Sequence, residues 1–197
     1  PKLLELERFE QVFTAEDNVG FVLVPAGGDV FTPSALLRLR ELSEQAWQLP
    51  RAQRVMSLAT HQHSSADGDD LYVAPLVPKR GEVTAADAER IRRIVLGSPE
   101  LRDRYASERA GATTVFLRLA LPAEPGAAKD EVVAAARALR DDFEARHPDT
   151  QILLSGSAVT DVVLGEAVAA DFLTLIPLTV LAIAGGLWLL FGSFPAM

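Results

Sequence analysis

Cysteine is absent from the 197 residues of the chain. Its absence removes disulfides, zinc-thiolate sites and thiol nucleophiles together, and leaves the compartment open, because exported bacterial domains often manage without bridges. Positive charge is also scarce: 19 Lys and Arg stand against 27 Asp and Glu, for a formal net charge of −8. With no basic cluster to collect phosphates, nucleic acid and anionic lipid surfaces are not expected as main partners. Phosphate-loop and serine-nucleophile signatures are missing as well. Gly27-Gly28 and Gly156 lack the Lys or the elbow context that such sites require, so no enzyme and no cofactor are expected.

Charge itself disappears near the C-terminus. Positions 172–191 read FLTLIPLTVLAIAGGLWLLF, twenty residues without a charged side chain. At about 1.5 Å rise per residue this makes roughly 30 Å of helix, the thickness of a bilayer's hydrocarbon core. Soluble cores seldom need so long an uninterrupted apolar helix. The position of the run and the lack of a cationic leader exclude a secretory signal. The acidic stretch 165–171 fits a lipid-anchor signal poorly. A water-soluble domain tied to a membrane is therefore expected. The chain starts with Pro1 and stops six residues past the run, so it is expected to be a piece of a longer protein, with a truncated flank at 192–197. Asp161, Glu166 and Asp171 precede the run without a nearby Lys or Arg, which is compatible with the translocated side.

The composition, 49% apolar and 23% charged, is that of a folded domain, and the roughly 170 residues before the run suffice for one core. After a connector at 1–18, segment 19–25 (VGFVLVP) predicts a buried strand ended by Pro and the Gly27-Gly28 turn. Thr32-Pro33 opens a helix with Leu36, Leu39, Leu42 and Ala46 inward, ending near Pro50. Segment 54–60 (RVMSLAT) is expected as the next strand. A second unit opens at 112–121, where Val115, Leu117, Leu119 and Leu121 alternate at the strand period. Its helix spans about 127–146, with Val132, Ala136, Leu139 and Phe143 on one stripe and the pairs Arg137/Asp141 and Arg140/Glu144 on the wet side. Segment 151–155 closes it.

Two β-α-β units in tandem predict an α+β fold of the split βαβ, ferredoxin-like kind over 19–156. The α-rich insertion 61–111 between them carries an extended piece at 71–77, a helix capped by Thr84 with Asp87 at its third position, and a shorter helix opened by Ser98-Pro99. An insertion of that length is usually functional or regulatory. A connecting helix is expected at 157–171, feeding with no breaker into the membrane helix at 172–191, so that motion of the domain would be felt in the bilayer.

The order FTPSALLRLRELSEQAWQLPRAQRVMSLAT, DGDDLYVAPLVP, helix, TTVFLRLAL, helix, LLSGSAVTD and an apolar helix ending LLFGSF resembles the resistance-nodulation-division (RND) exporter superfamily, in its MMPL-like, hydrophobe-exporter branch. The resemblance covers about 19–194 as the first porter domain followed by the second membrane helix. It implies a proton-driven exporter of hydrophobic or lipid-like molecules in the bacterial cytoplasmic (inner) membrane, with residues 1–171 on the extracytoplasmic side. It implies as partners the other transmembrane helices and second porter domain of the same chain, the cargo and the membrane, and it allows a homo-oligomer. The family's proton-relay acids sit on a later helix, beyond Met197, so no coupling residue carries over. Where that family commonly has an Arg after this helix, Gly192-Ser193 stands here.

Within the apolar run, Pro177 removes a backbone hydrogen bond and is tolerated where neighbours satisfy the freed carbonyl. Ala182 and Gly186 form a small-xxx-small pair, widened by Gly185, which permits close approach of another helix. Asp171 is read as the helix-entry residue. His61 and His63 with Asp67, Asp69 and Asp70 have metal-ligand chemistry, but their Ser64-Ser65 and Asp67-Gly68 turn signals favour a solvated polar loop, and no metal is expected. His147, before Pro148 at a helix end, is expected to do no more than favour the helix dipole. The competing functional class is a single-pass, membrane-anchored sensor or binding module, since a fold alone does not fix function.

Overall fold

The computed structural model describes residues 17–67, 70–122 and 124–191. Residues 1–16 of the connector expected at 1–18, Asp69 and the flank at 192–197 lie outside them. Four strands, β1 (Asn18–Pro25), β2 (Ala52–Met56), β5 (Thr113–Leu119) and β6 (Thr150–Ser155), form one sheet in the order β2-β5-β1-β6. Every neighbouring pair is antiparallel. It follows that β1 and β2 run the same way, joined by helix α1 (Pro33–Ala46), and that β5 and β6 do so, joined by helix α4 (Gly126–Arg146). The chain is α+β, with two β-α-β units whose strands interleave.

Alternation along the central strands sets the core. Val19, Phe21 and Leu23 of β1, Val115, Leu117 and Leu119 of β5, and Ile152 of β6 are buried on one face. Leu36, Leu39 and Leu42 of α1 and Val132, Ala136 and Phe143 of α4 are buried too. The expected stripe of α4 turns slightly: Leu139 is half-buried and Val133 takes a buried place instead. Leu121 lies past the end of β5.

The first strand boundary differs more. The expected strand 54–60 is shorter and earlier, because Ser57 and Thr60 fold the chain into a turn. Ser57 N donates to Thr60 Oγ1 (2.9 Å), Thr60 Oγ1 donates to the Val55 carbonyl (3.2 Å), and His61 N donates to the Ser57 carbonyl (3.0 Å). Hydroxyls that bond their own backbone compete with the strand ladder.

The insertion holds the two expected helices and a hairpin in place of the expected loop. The segment expected as a polar loop is β3 (Gln62–Asp67), paired antiparallel with β4 (Asp70–Pro75) as a separate hairpin. Its His, Gln, Ser and Asp are poor strand formers, and the partner strand LYVAP supplies the propensity they lack. Two helices follow, α2 (Ala85–Gly97) and α3 (Pro99–Tyr105). Thr84 and Asp87 form the reciprocal capping box: Asp87 N donates to Thr84 Oγ1 and Thr84 N donates to the Asp87 carboxylate, each at 3.1 Å. Leu58, Leu76, Val77 and Ile91, all fully buried, seat this part of the chain in the domain.

His147 does more than expected. Its Nε2 lies 3.0 Å from Glu41 Oε2 of α1, and its ring packs on Phe143 with centroids 4.6 Å apart. Arg146 bonds Glu41 as well and donates to Gln45 Oε1 (3.0 Å), so the end of α4 is clasped to α1. Arg140, expected to meet Glu144, pairs with Asp141 (2.7 Å), while Glu144 accepts the Ile152 amide (2.6 Å) and stitches α4 to β6.

Where β6 ends, the chain passes very near the start of β1. Gly156 has φ +108°, and a Cβ on it would lie 2.5 Å from the Asn18 carbonyl oxygen. Asn18 N donates to Ser157 Oγ (3.1 Å) and Leu119 N to the Asp17 carbonyl (2.9 Å). Asp17 forms an ion pair with Lys129 (2.8 Å) that is 13% and 15% exposed at its two side chains. Helix α5 (Ser157–Phe191) starts there. The chain divides into two units after Val159, and α5 supplies the described structure of the second.

Two predictions concern these contacts. Gly156→Ala is expected to cost about 1–3 kcal/mol through strain at that φ, read as a lowered denaturation midpoint. Gly27→Ala, whose Cβ would meet nothing within 4 Å, is expected to leave the midpoint unchanged, and equal midpoints for the two would show the close approach to be unimportant. Burial pushes the Glu41 carboxyl up, but hydrogen bonds from Arg146 and His147 and their charges outweigh it and hold its pKa below the ordinary 4.5. A depressed carboxylate contributes stability that is full above 4.5 and is lost as pH falls through the folded value. Glu41→Gln should therefore lower the midpoint at neutral pH and lose that deficit as pH falls below 4.5 and through the folded value; a deficit independent of pH would refute the role of the charge.

Candidate functional site

Helix α5 carries the expected site residues. It is unbroken over 35 residues, and among the described residues its stretch Ser157–Trp188 is the helix long and apolar enough to cross a membrane. None of its most apolar window is buried, and Phe172, Leu173, Leu181 and Trp188 stand open to the outside. A core helix of a soluble domain would have these side chains covered. Pro177 lies inside the helix without ending it. The hydroxyls of Thr174 and Thr179 turn back onto the helix, Thr174 donating to the Ala170 carbonyl (2.9 Å) and Thr179 to that of Ile176 (3.0 Å), as hydroxyls do where water is absent.

At about 100° per residue, Asp171, Ala182, Gly185 and Gly186 fall within a sector of roughly 100°, and Pro177 falls outside it. The helix thus brings four of the five residues onto one face. A Cβ at Gly185 or Gly186 would meet no atom within 4 Å, so the strip is flat.

Among the described residues, which exclude Asp69 of the histidine and aspartate cluster, no group of three His, Cys, Asp or Glu is placed to hold an ion. His63 faces Ala74 across the hairpin. His61 precedes β3, its ring 6.2 Å from that of Tyr105, and burial together with the charge of His63 lowers its imidazole pKa below 6.5.

A cleft of about 890 Å³ in the first unit was not legible in the sequence. Its walls come from α1, β2, the Ser57–His61 turn, Lys79 and α3. Arg40, Arg54, Lys79 and Arg104 line it, against the single carboxylate of Glu44. None of the four cations forms an ion pair with a carboxylate among the described residues. Arg40 Nη1 donates to the carbonyls of Pro78 (2.8 Å) and Gly81 (3.1 Å), and the Arg104 guanidinium lies 5.7 Å from the centre of the Tyr105 ring. Trp47, 45% exposed, and Met56 give the cleft its apolar lining. The basic cluster that the sequence lacks is made by folding, from residues 40 to 104 on separate segments. The one local signal is Arg40, Glu44 and Trp47 at helical spacing.

No protein-family model matches the chain, and neither does any curated protein.

A charge in the middle of α5 tests the span. Leu181→Lys is expected to cost about 2.5–3.5 kcal/mol of insertion free energy and to move the protein from the carbonate-resistant membrane pellet to the soluble or aggregated fraction. Retention of full membrane association by this variant would refute a span centred there.

Proposed function

We propose that this chain is the extracytoplasmic porter domain and one membrane helix of an exporter of the RND type, in the MMPL-like branch that moves hydrophobic or lipid-like molecules. The observation that carries the proposal is the direct passage from an α+β domain, through Gly156 and Ser157, into one continuous helix of membrane length. In support, the strand order β2-β5-β1-β6 with interleaved β-α-β units is that expected of a split βαβ, ferredoxin-like domain. The acids Asp161, Glu166 and Asp171 ahead of the apolar run agree with residues 1–171 on the translocated side of the cytoplasmic membrane of a bacterium. On this proposal the domain works by binding and moving cargo, with no covalent chemistry of its own, and the flat sector of α5 packs on other helices of the same transporter.

The anchored binding module has one feature in its favour: the cleft is complete within the first unit. Reading the gene in frame on both sides separates the two. A membrane helix before Pro1 and several after Met197, one with buried acids, are expected for the exporter, whereas a signalling domain or a stop soon after Met197 would remove it. In the full-length protein Gly186→Leu is expected to impair assembly and export by blocking close helix approach; wild-type export in that variant would remove the packing role.

A further inference from the structure

We propose that the cleft beside α1 binds an anionic amphiphile, a phosphate head with a short apolar body, held by Arg40, Arg54, Lys79 and Arg104 with Trp47 and Met56 receiving the apolar part. As a statement about cargo this rests on the exporter reading. Binding stands apart from transport: a chain that binds, in a full-length protein that fails to export, would remove the exporter reading alone.

Charge is the first ground. The chain is acidic overall, and several cations outside the cleft pair with acids: Arg38 with Asp149, Arg92 with Asp29, Lys129 with Asp17, Arg146 with Glu41. In the cleft four cations gather with one carboxylate and no ion pair among the described residues. Like charges brought together without counter-charge repel, and a compact anion seated among them converts that repulsion into attraction. Guanidinium groups match phosphate oxygens in a two-pronged geometry, and three of the four cations are Arg.

Order is the second. Arg40 is held by two backbone carbonyls, and Arg104 rests on Tyr105 with Nη2 3.7 Å from Met56 Sδ. Side chains fixed before binding lose less entropy when the ligand arrives. Apolar surface is the third: an indole left 45% exposed at a cleft wall is an energetic loss that a ligand's apolar body recovers. The volume, about 890 Å³, lies within the roughly 300–1,000 Å³ of small-molecule sites.

The acidic surround sets the size of the anion. A net charge of −8 repels extended polyanions, while screening over about 8 Å leaves a small anion inside the cleft answering chiefly to the nearest cations. A single phosphate group is therefore favoured over a nucleic acid.

The test uses the full chain in phosphatidylcholine nanodiscs, carrying Trp188→Phe so that Trp47 is the sole remaining indole of the two. Titration with hexyl phosphate is expected to give a saturable change in Trp47 emission. Arg54→Gln with Arg104→Gln, both surface residues, should weaken binding about tenfold, and Lys79→Gln should weaken it less. The matched removal of Arg93 and Arg109, outside the cleft, should leave it unchanged. Dihexanoyl phosphatidylglycerol binding tighter than hexyl phosphate would identify the ligand as a lipid head, and the reverse order a free phosphate monoester; either supports the site. An equal response to hexyltrimethylammonium, saturation by inorganic phosphate alone at the same concentration, or parental affinity in both cleft variants would overturn it.

Discussion

The domain depends on one close approach, that of the Gly156 backbone to Asn18. Strand β1 is central, paired with β5 on one side and β6 on the other. Because side chains alternate, a slip of one residue in either pairing would turn Phe21 and Leu23 out of the core. The Gly156 passage fixes the end of β6 against the start of β1 at the pair Gly20 and Ser155. The Asp17–Lys129 ion pair holds the same end of β1 to the first turns of α4. A single positive φ, available to glycine without a Cβ collision, thus sets sheet register and the start of α5 together.

Charge is distributed in the domain by function as well as by stability. Clasps such as Glu41 with Arg146 and His147 join α1 to α4, and Arg38 with Asp149 joins α1 to the start of β6. Partly exposed pairs of this kind contribute modestly to stability. The four cations of the cleft, gathered against one carboxylate and without an ion pair among the described residues, define a local field opposite in sign to the whole chain. An acidic protein can therefore present a cationic site without becoming a general polyanion binder.

Periodicity exposed the elements whose residues obey one rule at a time. The strands around Phe21 and Leu117, the Thr32-Pro33 and Thr84 helix starts, and the apolar run were all legible, because burial, capping and hydrophobicity are local patterns. The hairpin strand QHSSAD was not, since its pairing comes from LYVAP across the turn rather than from its own side chains. The end of β2 was missed because Ser57 and Thr60 bond their own backbone. His147 was underestimated because its partner, Glu41, lies on another helix. The cleft was illegible for the same reason: Arg40, Arg54, Lys79 and Arg104 are unremarkable alone and acquire meaning when the fold gathers them.

The sector shared by Asp171, Ala182, Gly185 and Gly186 constrains how α5 can sit in a membrane. An aspartate at the entry of the apolar run, as Asp171 is, is costly where it faces hydrocarbon, though less than the roughly 2.5–3.5 kcal/mol found at a helix centre, and its short side chain cannot snorkel as Lys or Arg does. The same face carries the residues whose small size admits another backbone. If α5 crosses a membrane as proposed, two requirements of different origin, relief of the acid's desolvation and van der Waals contact over glycine, would be met by one rotation of the helix, with this sector against protein or water and Leu173, Leu181 and Trp188 left to the lipid. Pro177, off the sector, frees the Leu173 carbonyl on another side of the helix, where a polar group from a neighbouring helix or a water would be needed to satisfy it.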